Sequence, residues 1–242
     1  MNSQQSAIVI SDEIRDTLRQ VSTATIATQL FKRGLRQQFL VGLQPLTTEH
    51  SRFVGEAVTM RFIPMREDID SLDSLDDPSN LQWRVIEEIG PNEVVVVDSR
   101  SDPSAASSGG ILLTRAMKKG AAGFVTDGAL RDAHTSIARL DFPVFMRTAA
   151  ATTRLSRFHV ADLQVPIGCA GVAVYPGDVL VADEDGVIVI PRHMAEEVGV
   201  DALVQEKLEA YLEARIASGE SLTGVYPPNQ QTLKEYEAWN NR

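Results

Sequence analysis

The chain has 242 residues, 43% of them hydrophobic, which is enough for a substantial core. Its formal net charge of -10 repels phosphate backbones, so no nucleic-acid partner is expected. A single cysteine, Cys169, excludes an intrachain disulfide and suits a reducing cytoplasm, no apolar run reaches membrane-spanning length, and MNSQQSAIVISDEIRD lacks the pattern of a signal peptide.

Ser11-Asp12-Glu13 supplies an N-cap and an acidic first turn, predicting a helix to about Gln20. A second helix is predicted from about Thr23 to Arg33, stopped by Gly34. The apolar segments FLVGLQPL and GEAVTMRFIP follow, the latter ended by Pro64. MREDIDSLDSLDDPSN reads as a solvated acidic loop, a kind of segment that can also cover a site. LQWRVIEEIG predicts a helix ending at Gly90, and NEVVVVD, with four consecutive valines, a strand buried on both faces. SRSDPSAASSGG is loop, ILLTRAMKKG a helix ending at Gly120, and AAGFVTDG a strand whose Asp127-Gly128 supplies the turn. A short strand is centred on Pro143-Val144-Phe145.

This alternation calls for βαβ crossovers and a parallel sheet portion. VPIGCAGVAVYPGDVLVADEDGVIVIP changes character: short strands with Gly, Pro and Asp turns predict antiparallel or barrel-like β structure. A long polar helix from about Arg192 to Ala217 and a tail, SLTGVYPPNQQTLKEYEAWNNR, with a short last helix complete the chain. A projecting helix of this kind suits packing on a neighbouring subunit, and no internal repeat is visible.

Gly109-Gly110, at a helix start, exposes backbone N–H groups at the positive end of a dipole: a ready anion site, or simply a loop with helix-start glycines. Neither a P-loop nor GxGxxG is present. Arg131-Asp132 falls at the carboxyl end of the next parallel strand, so both features converge on one cleft. Arginine offers a fork for a carboxylate or a developing enolate oxygen, and aspartate a hard oxygen ligand for Mg²⁺ or Mn²⁺. The structural alternative is an ion pair at the mouth of the sheet. His50, His134, His159 and His193 show no metal-ligand spacing; His134, two residues past Asp132, reads as a surface or packing residue, with lining of the cleft as the alternative. No GxSxG elbow or Ser-His-Asp order occurs, and Lys118 and Lys119 read as solvated, which favours metal over imine chemistry. Cys169, in GCAG, reads as a small buried residue, and Asp183-Glu184-Asp185-Gly186 as a hairpin turn rather than a calcium loop. Glu206 and Glu209 share one helix face, either solvated or reaching a neighbour's site in an oligomer.

GGILLTRAMKKGAAGFVTDGALRD, PVFMR and PIGCAGVAVYPGDVLVADEDGVIVIP, with TATIATQLFKRG, LQPL and FVGEAVTMRF before them, together resemble the RraA-like family, which includes the 4-hydroxy-4-methyl-2-oxoglutarate aldolases. The resemblance covers roughly residues 20–220. It implies an α/β fold of the αββ swivelling type with N-terminal helices, one catalytic domain over residues 1–220, a C-terminal helical arm over 221–242, and a homotrimer or homohexamer with active sites between subunits. The family's ribonuclease-inhibiting regulators lack the aspartate after the arginine; this chain keeps Asp132 and resembles the enzymes.

By that resemblance, the backbone of Gly109, Gly110, Ile111 and Leu112 would hold a pyruvoyl carboxylate and Arg131 would stabilise the enolate oxygen. Asp132 would bind a divalent metal, Mg²⁺ or Mn²⁺, and Glu209, or in its place Glu206, would reach a neighbour's metal through water. The implied reaction is metal-dependent cleavage of a small 4-hydroxy-2-oxo acid to pyruvate, and oxaloacetate decarboxylation follows because it passes through the same enolate. One departure stands out: the aldolases usually carry an acidic residue where this chain has Gly110. Two other classes stay open, a non-catalytic regulator of ribonuclease activity and a lyase or dehydratase on another sugar-derived 2-oxo acid.

Overall fold

In a computed structural model describing residues 10–75, 77 and 79–241, Asp12–Leu18 (α1) and Thr23–Lys32 (α2) come first. Residues 1–9, within the stretch read for a signal peptide, lie outside the described residues, as do Asp76 and Pro78 of the acidic insert and Arg242. Both helices start as expected: the Ser11 hydroxyl accepts the Ile14 N–H at 3.2 Å and the Ser22 hydroxyl the Thr25 N–H at 3.1 Å. Gly34, at φ +85°, turns the chain away after α2.

The strands and helices that follow are β1 (Gln44–Pro45), β2 (Phe53–Pro64), α3 (Leu81–Glu88), β3 (Glu93–Asp98), β4 (Ala106–Ser108), α4 (Gly110–Lys118), β5 (Gly123–Thr126), β6 (Ala129–Leu130), β7 (Val144–Met146), β8 (Thr148–Ala149) and β9 (Phe158–Leu163). Then come β10 (Ile167–Cys169), β11 (Val172–Val174), β12 (Val179–Asp183), β13 (Gly186–Ile190), α5 (Ala195–Ala217) and α6 (Gln230–Asn240). The main sheet runs β1-β7-β5-β3-β2-β12-β13, with β9 on the far half of β2. Pairs β2–β3, β3–β5 and β5–β7 are parallel, whereas β12, β13, β9 and β1 join antiparallel. Both halves of the sequence-based expectation are therefore present in one mixed sheet.

The valines of β3 are buried because both faces of the sheet are covered. On one face Val95 and Val97 pack with Val85 and Ile86 of α3 and Leu113 and Ala116 of α4. On the other, Val94 and Val96 meet the β10–β11 hairpin, whose two-residue turn places Ala170 (φ +47°) and Gly171 (φ +81°) in left-handed conformations. Cys169 lies inside this layer, as expected. Helices α1, α2 and α5 cover β12 and β13.

The Asp183–Gly186 segment is a hairpin turn. The Asp183 carboxylate accepts from the Thr23 N–H at 2.7 Å and the Thr23 hydroxyl at 2.8 Å, so it fixes the start of α2 rather than awaiting a cation. The acidic insert is not wholly solvated: Asp70 is buried, accepting the Arg66 N–H at 3.0 Å and facing His159 Nδ1 at 2.7 Å. The C-terminal arm returns onto α5, where Arg215 meets Glu235 at 2.7 Å and the Tyr211 ring packs against Trp239 at 5.3 Å.

Candidate active site

The loop after β3, expected to be irregular throughout, contains β4, which joins a second, three-stranded parallel sheet in the order β4-β6-β8. This ladder sits past the carboxyl ends of β3 and β5. Because its strands are parallel, their exits leave at one edge: Gly109-Gly110 after β4, Arg131-Asp132 after β6, and the segment leading to Arg154 after β8. Two of these exits were expected to converge; the third was not foreseen.

A buried carboxylate fastens the arrangement. Asp127 is 0% exposed and accepts the N–H groups of Ser99 (2.7 Å), Ser101 (2.9 Å) and Ala170 (3.2 Å), together with the Ser101 hydroxyl (2.8 Å). The Thr126 hydroxyl adds bonds to Ser107 and to the Gly128 N–H. The chain from Ser99 to Ser108 is thus tied to the end of β5. Asp98, nearby, has its carboxyl pushed up by burial and by the Asp127 charge, against hydrogen bonds from the Arg100 and Gly168 N–H groups.

Gly109 caps α4 without a side chain, so the first N–H groups of the helix, those of Gly110, Ile111 and Leu112, face outward uncapped. A Cβ on Gly109 would lie 3.4 Å from Asp132 Oδ2 and 3.5 Å from Arg131 Cβ, which places the helix start directly against the Arg-Asp pair. Among the described residues neither the Arg131 nor the Asp132 side chain forms a hydrogen bond or an ion pair, so the two are not the structural pair that the sequence allowed. Asp132 also sits at φ +57°, in the left-handed region that aspartate enters more readily than most residues other than glycine.

These groups line a cleft of about 580 Å³ with Trp83, Ile86 and Ile111 as its apolar wall. Arg115 and Glu87 at its rim pair at 2.7 Å. Arg154 was missed in the sequence, where it stands in an unremarkable polar stretch; it lines the same cleft and is buried. Its Nε donates to Gln82 Oε1 at 2.6 Å, and Gln82 in turn donates to the Ser107 carbonyl at 2.6 Å. Burial pulls the Arg154 guanidinium down from the usual arginine range, with the Asp70 charge opposing. His134 lines a separate depression on the other side of Arg131-Asp132. Gly110 explains its own departure from the acidic residue: a Cβ there would meet Ser136 Oγ at 2.7 Å, so Ser136 occupies the room a carboxylate side chain would need.

The glutamates of α5 behave differently from each other. Glu206 accepts the Ser22 N–H at 2.7 Å, a structural role at the start of α2. Glu209 accepts from Gln205 at 2.8 Å and does not line the cleft of its own chain. Among the described residues no group of three or more His, Cys, Asp or Glu side chains is placed to hold a metal, so any cation at Asp132 would take its other ligands from substrate, water or a second copy.

With the sheet, the uncapped helix start and the Arg-Asp exit in place, the chain belongs to the RraA-like family (Aldolase/RraA), whose pattern it matches over residues 8–189. A relative from Halalkalibacterium halodurans, named as a candidate 4-hydroxy-4-methyl-2-oxoglutarate aldolase, is 43% identical over 113 residues, 46% of this chain and 52% of that one. Protein DlpA of Legionella pneumophila is 26% identical over 218 residues, 89% of this chain but 34% of DlpA, so the first of these matches spans about half of its relative and the second a third. The 4-hydroxy-4-methyl-2-oxoglutarate aldolase of Thermus thermophilus is 34% identical over 143 residues, 59% of this chain and 77% of that one. Among solved structures, Streptomyces coelicolor RraAS2, described as an unusual member of the RNase ES inhibitor RraA protein family, superposes with a TM-score of 0.74 at 32% identity, covering 83% of this chain and 96% of that one.

Proposed function

We propose that this chain is a divalent-metal-dependent lyase that cleaves a 4-hydroxy-2-oxo acid, such as 4-hydroxy-4-methyl-2-oxoglutarate, to pyruvate, and that decarboxylates oxaloacetate at the same site. The observation that carries the reading is Asp132: an unpaired carboxylate beside an unpaired arginine and an uncapped helix N-terminus. A single accessible carboxylate suits Mg²⁺ or Mn²⁺, which favour oxygen ligands; Mg²⁺ in particular commonly keeps several waters. Asp132 would hold the metal, with Glu209 of a second copy approaching through water, which makes a homotrimer or homohexamer part of the proposal. Bound there, the cation supplies Lewis-acid polarisation of the 2-oxo group.

The chain's own residues do the rest. The N–H groups of Gly110, Ile111 and Leu112 bind the C1 carboxylate at the positive end of the α4 dipole. Arg131 donates to the C2 oxygen, where negative charge develops. The C4 hydroxyl gives up its proton and becomes the carbonyl of the second product, the C3–C4 bond breaks, and its electron pair passes into the enolate. The enolate takes a proton from water at C3 to give pyruvate. Ile86, Trp83 and Ile111 give the reacting carbons an apolar surface to lie against. Oxaloacetate loses carbon dioxide to give the same enolate, so the same donors serve both substrates.

The test is pyruvate release from 4-hydroxy-4-methyl-2-oxoglutarate and from oxaloacetate, with Mg²⁺, with Mn²⁺ and with chelator, for the wild type and Asp132→Ala. Metal-dependent release that vanishes in the variant is expected; full activity in the variant would remove Asp132 from the mechanism. A second reading, a non-catalytic regulator of ribonuclease activity, is favoured by the likeness to RraAS2. It predicts no release from either substrate and inhibition of a ribonuclease that is indifferent to Asp132→Ala.

A further inference from the structure

The strongest unexplained group in the cleft is Arg154. It is 7% exposed and lies in a 3-10 turn, Arg154–Ser156, beyond β8. An arginine this deeply buried ordinarily meets a carboxylate, because an uncompensated buried charge is costly. Here its one hydrogen-bond partner among the described residues is the neutral Gln82 amide, which orients the guanidinium without neutralising it. Asp70 acts on Arg154 only at longer range, its own oxygens engaged by the Arg66 N–H and His159. Among the described residues, the terminal nitrogens of Arg154 are therefore left without a partner.

One further observation points the same way. The cleft is the wrong sign for this protein. Its lining holds Arg115, Arg131 and Arg154 against Glu87 and Asp132, and the Arg115–Glu87 pair cancels, leaving a positive recess in a chain of net charge -10. Trp83, Ile86 and Ile111 give the same cleft an apolar lining.

We infer that Arg154 is the specificity residue of this cleft: it takes the distal carboxylate of a short dicarboxylic 2-oxo acid. This rests on the proposed reading for the near end of the substrate, at Asp132 and the start of α4. Gln82 positions Arg154, and a substrate ending in a methyl group leaves the buried guanidinium unpaired, which is where the discrimination arises.

The test compares 4-hydroxy-2-oxoglutarate with 4-hydroxy-2-oxopentanoate, which differ only in that distal group. The wild type should prefer the dicarboxylate by at least about 100-fold in kcat/KM. Arg154→Gln should lose that preference while keeping its rate on the pentanoate within a few-fold, and Arg154→Lys should keep part of it. In parallel, binding of glutarate and of butyrate is followed by NMR saturation transfer with chelator present, a readout that needs no turnover. Glutarate binding that disappears in Arg154→Gln, without pyruvate release from any substrate, supports the subsite and removes the lyase reading. Pyruvate release with no dicarboxylate preference, or a preference that survives Arg154→Gln, overturns the subsite and leaves the lyase. Should Arg154→Gln show no cooperative melt, the wild type's own choice between glutarate and butyrate decides, equal binding of the two overturning the inference.

Discussion

Asp127→Asn is the sharpest test of how the site is held. The carboxylate is fully buried and receives four donors, one on Oδ1 from Ser99 and three on Oδ2 from Ser101 and Ala170. An asparagine keeps one oxygen, so whichever way it turns, its NH₂ confronts a donor. The cheaper orientation strands only the Ser99 N–H, at about 1–3 kcal/mol for a buried unsatisfied group, and the remaining bonds lose their charge assistance. Removing the charge also relieves Asp98, whose carboxyl Asp127 pushes up, which offsets part of the loss. A net destabilisation of about 3 kcal/mol follows, or roughly 6–12 °C in melting temperature for a chain of this size. Urea titration and a thermal melt measure it, and pyruvate release should fall with it because Asp127 ties down the chain leading to β4. A loss below about 1 kcal/mol would show that these bonds do not fasten the site.

Other expectations follow from particular residues. Glu56 bridges Arg15, at 2.9 Å, and Arg192; Glu56→Ala leaves the buried Arg15 with Asp12, at 2.8 Å, as its remaining carboxylate and should cost about 2 kcal/mol in urea titration. Burial drives the Cys169 thiol well above its ordinary range, so DTNB should label the folded protein only at the rate of unfolding. The sign of the accompanying linkage is fixed: the stability contributed by the neutral thiol is fully present below about pH 8.5 and lost as pH rises toward the elevated native value, a slope that Cys169→Ala should flatten. Gly110→Asp should destabilise by about 1–3 kcal/mol through its clash with Ser136, and Ser136→Gly in the same chain should restore most of that in a thermal melt.

Much of this architecture is legible in the chain itself. The valines of β3 and the glycines after α2 and α4 carry physical signals strong enough to survive folding, and successive parallel strands necessarily send Gly109 and Arg131 to one side of the sheet. The β4-β6-β8 ladder was hidden because its strands are two or three residues long, too short for a period to register. Asp127 read as a turn residue because Asp-Gly is a turn signal, and nothing local announces the four donors that come from two separate loops. Arg154 lay beyond reach for the same reason: its burial depends on α3 supplying Gln82, a contact 72 positions away. Glu206 shows the limit of helix-face reasoning, since its helical spacing from Glu209 gave no sign that it would fix Ser22.

The measurement closest to the central claim leaves the natural substrate out altogether. If Asp132 and Arg131 form an enolate-stabilising centre, the protein should exchange the methyl protons of pyruvate for deuterium in D₂O, observed by proton NMR, when Mg²⁺ or Mn²⁺ is present. Asp132→Asn suits the comparison because asparagine tolerates the left-handed backbone at φ +57° that alanine would strain. The account predicts metal-dependent exchange in the wild type that disappears with chelator and in Asp132→Asn. Absence of exchange in the metal-loaded wild type, or undiminished exchange in the variant, would contradict it.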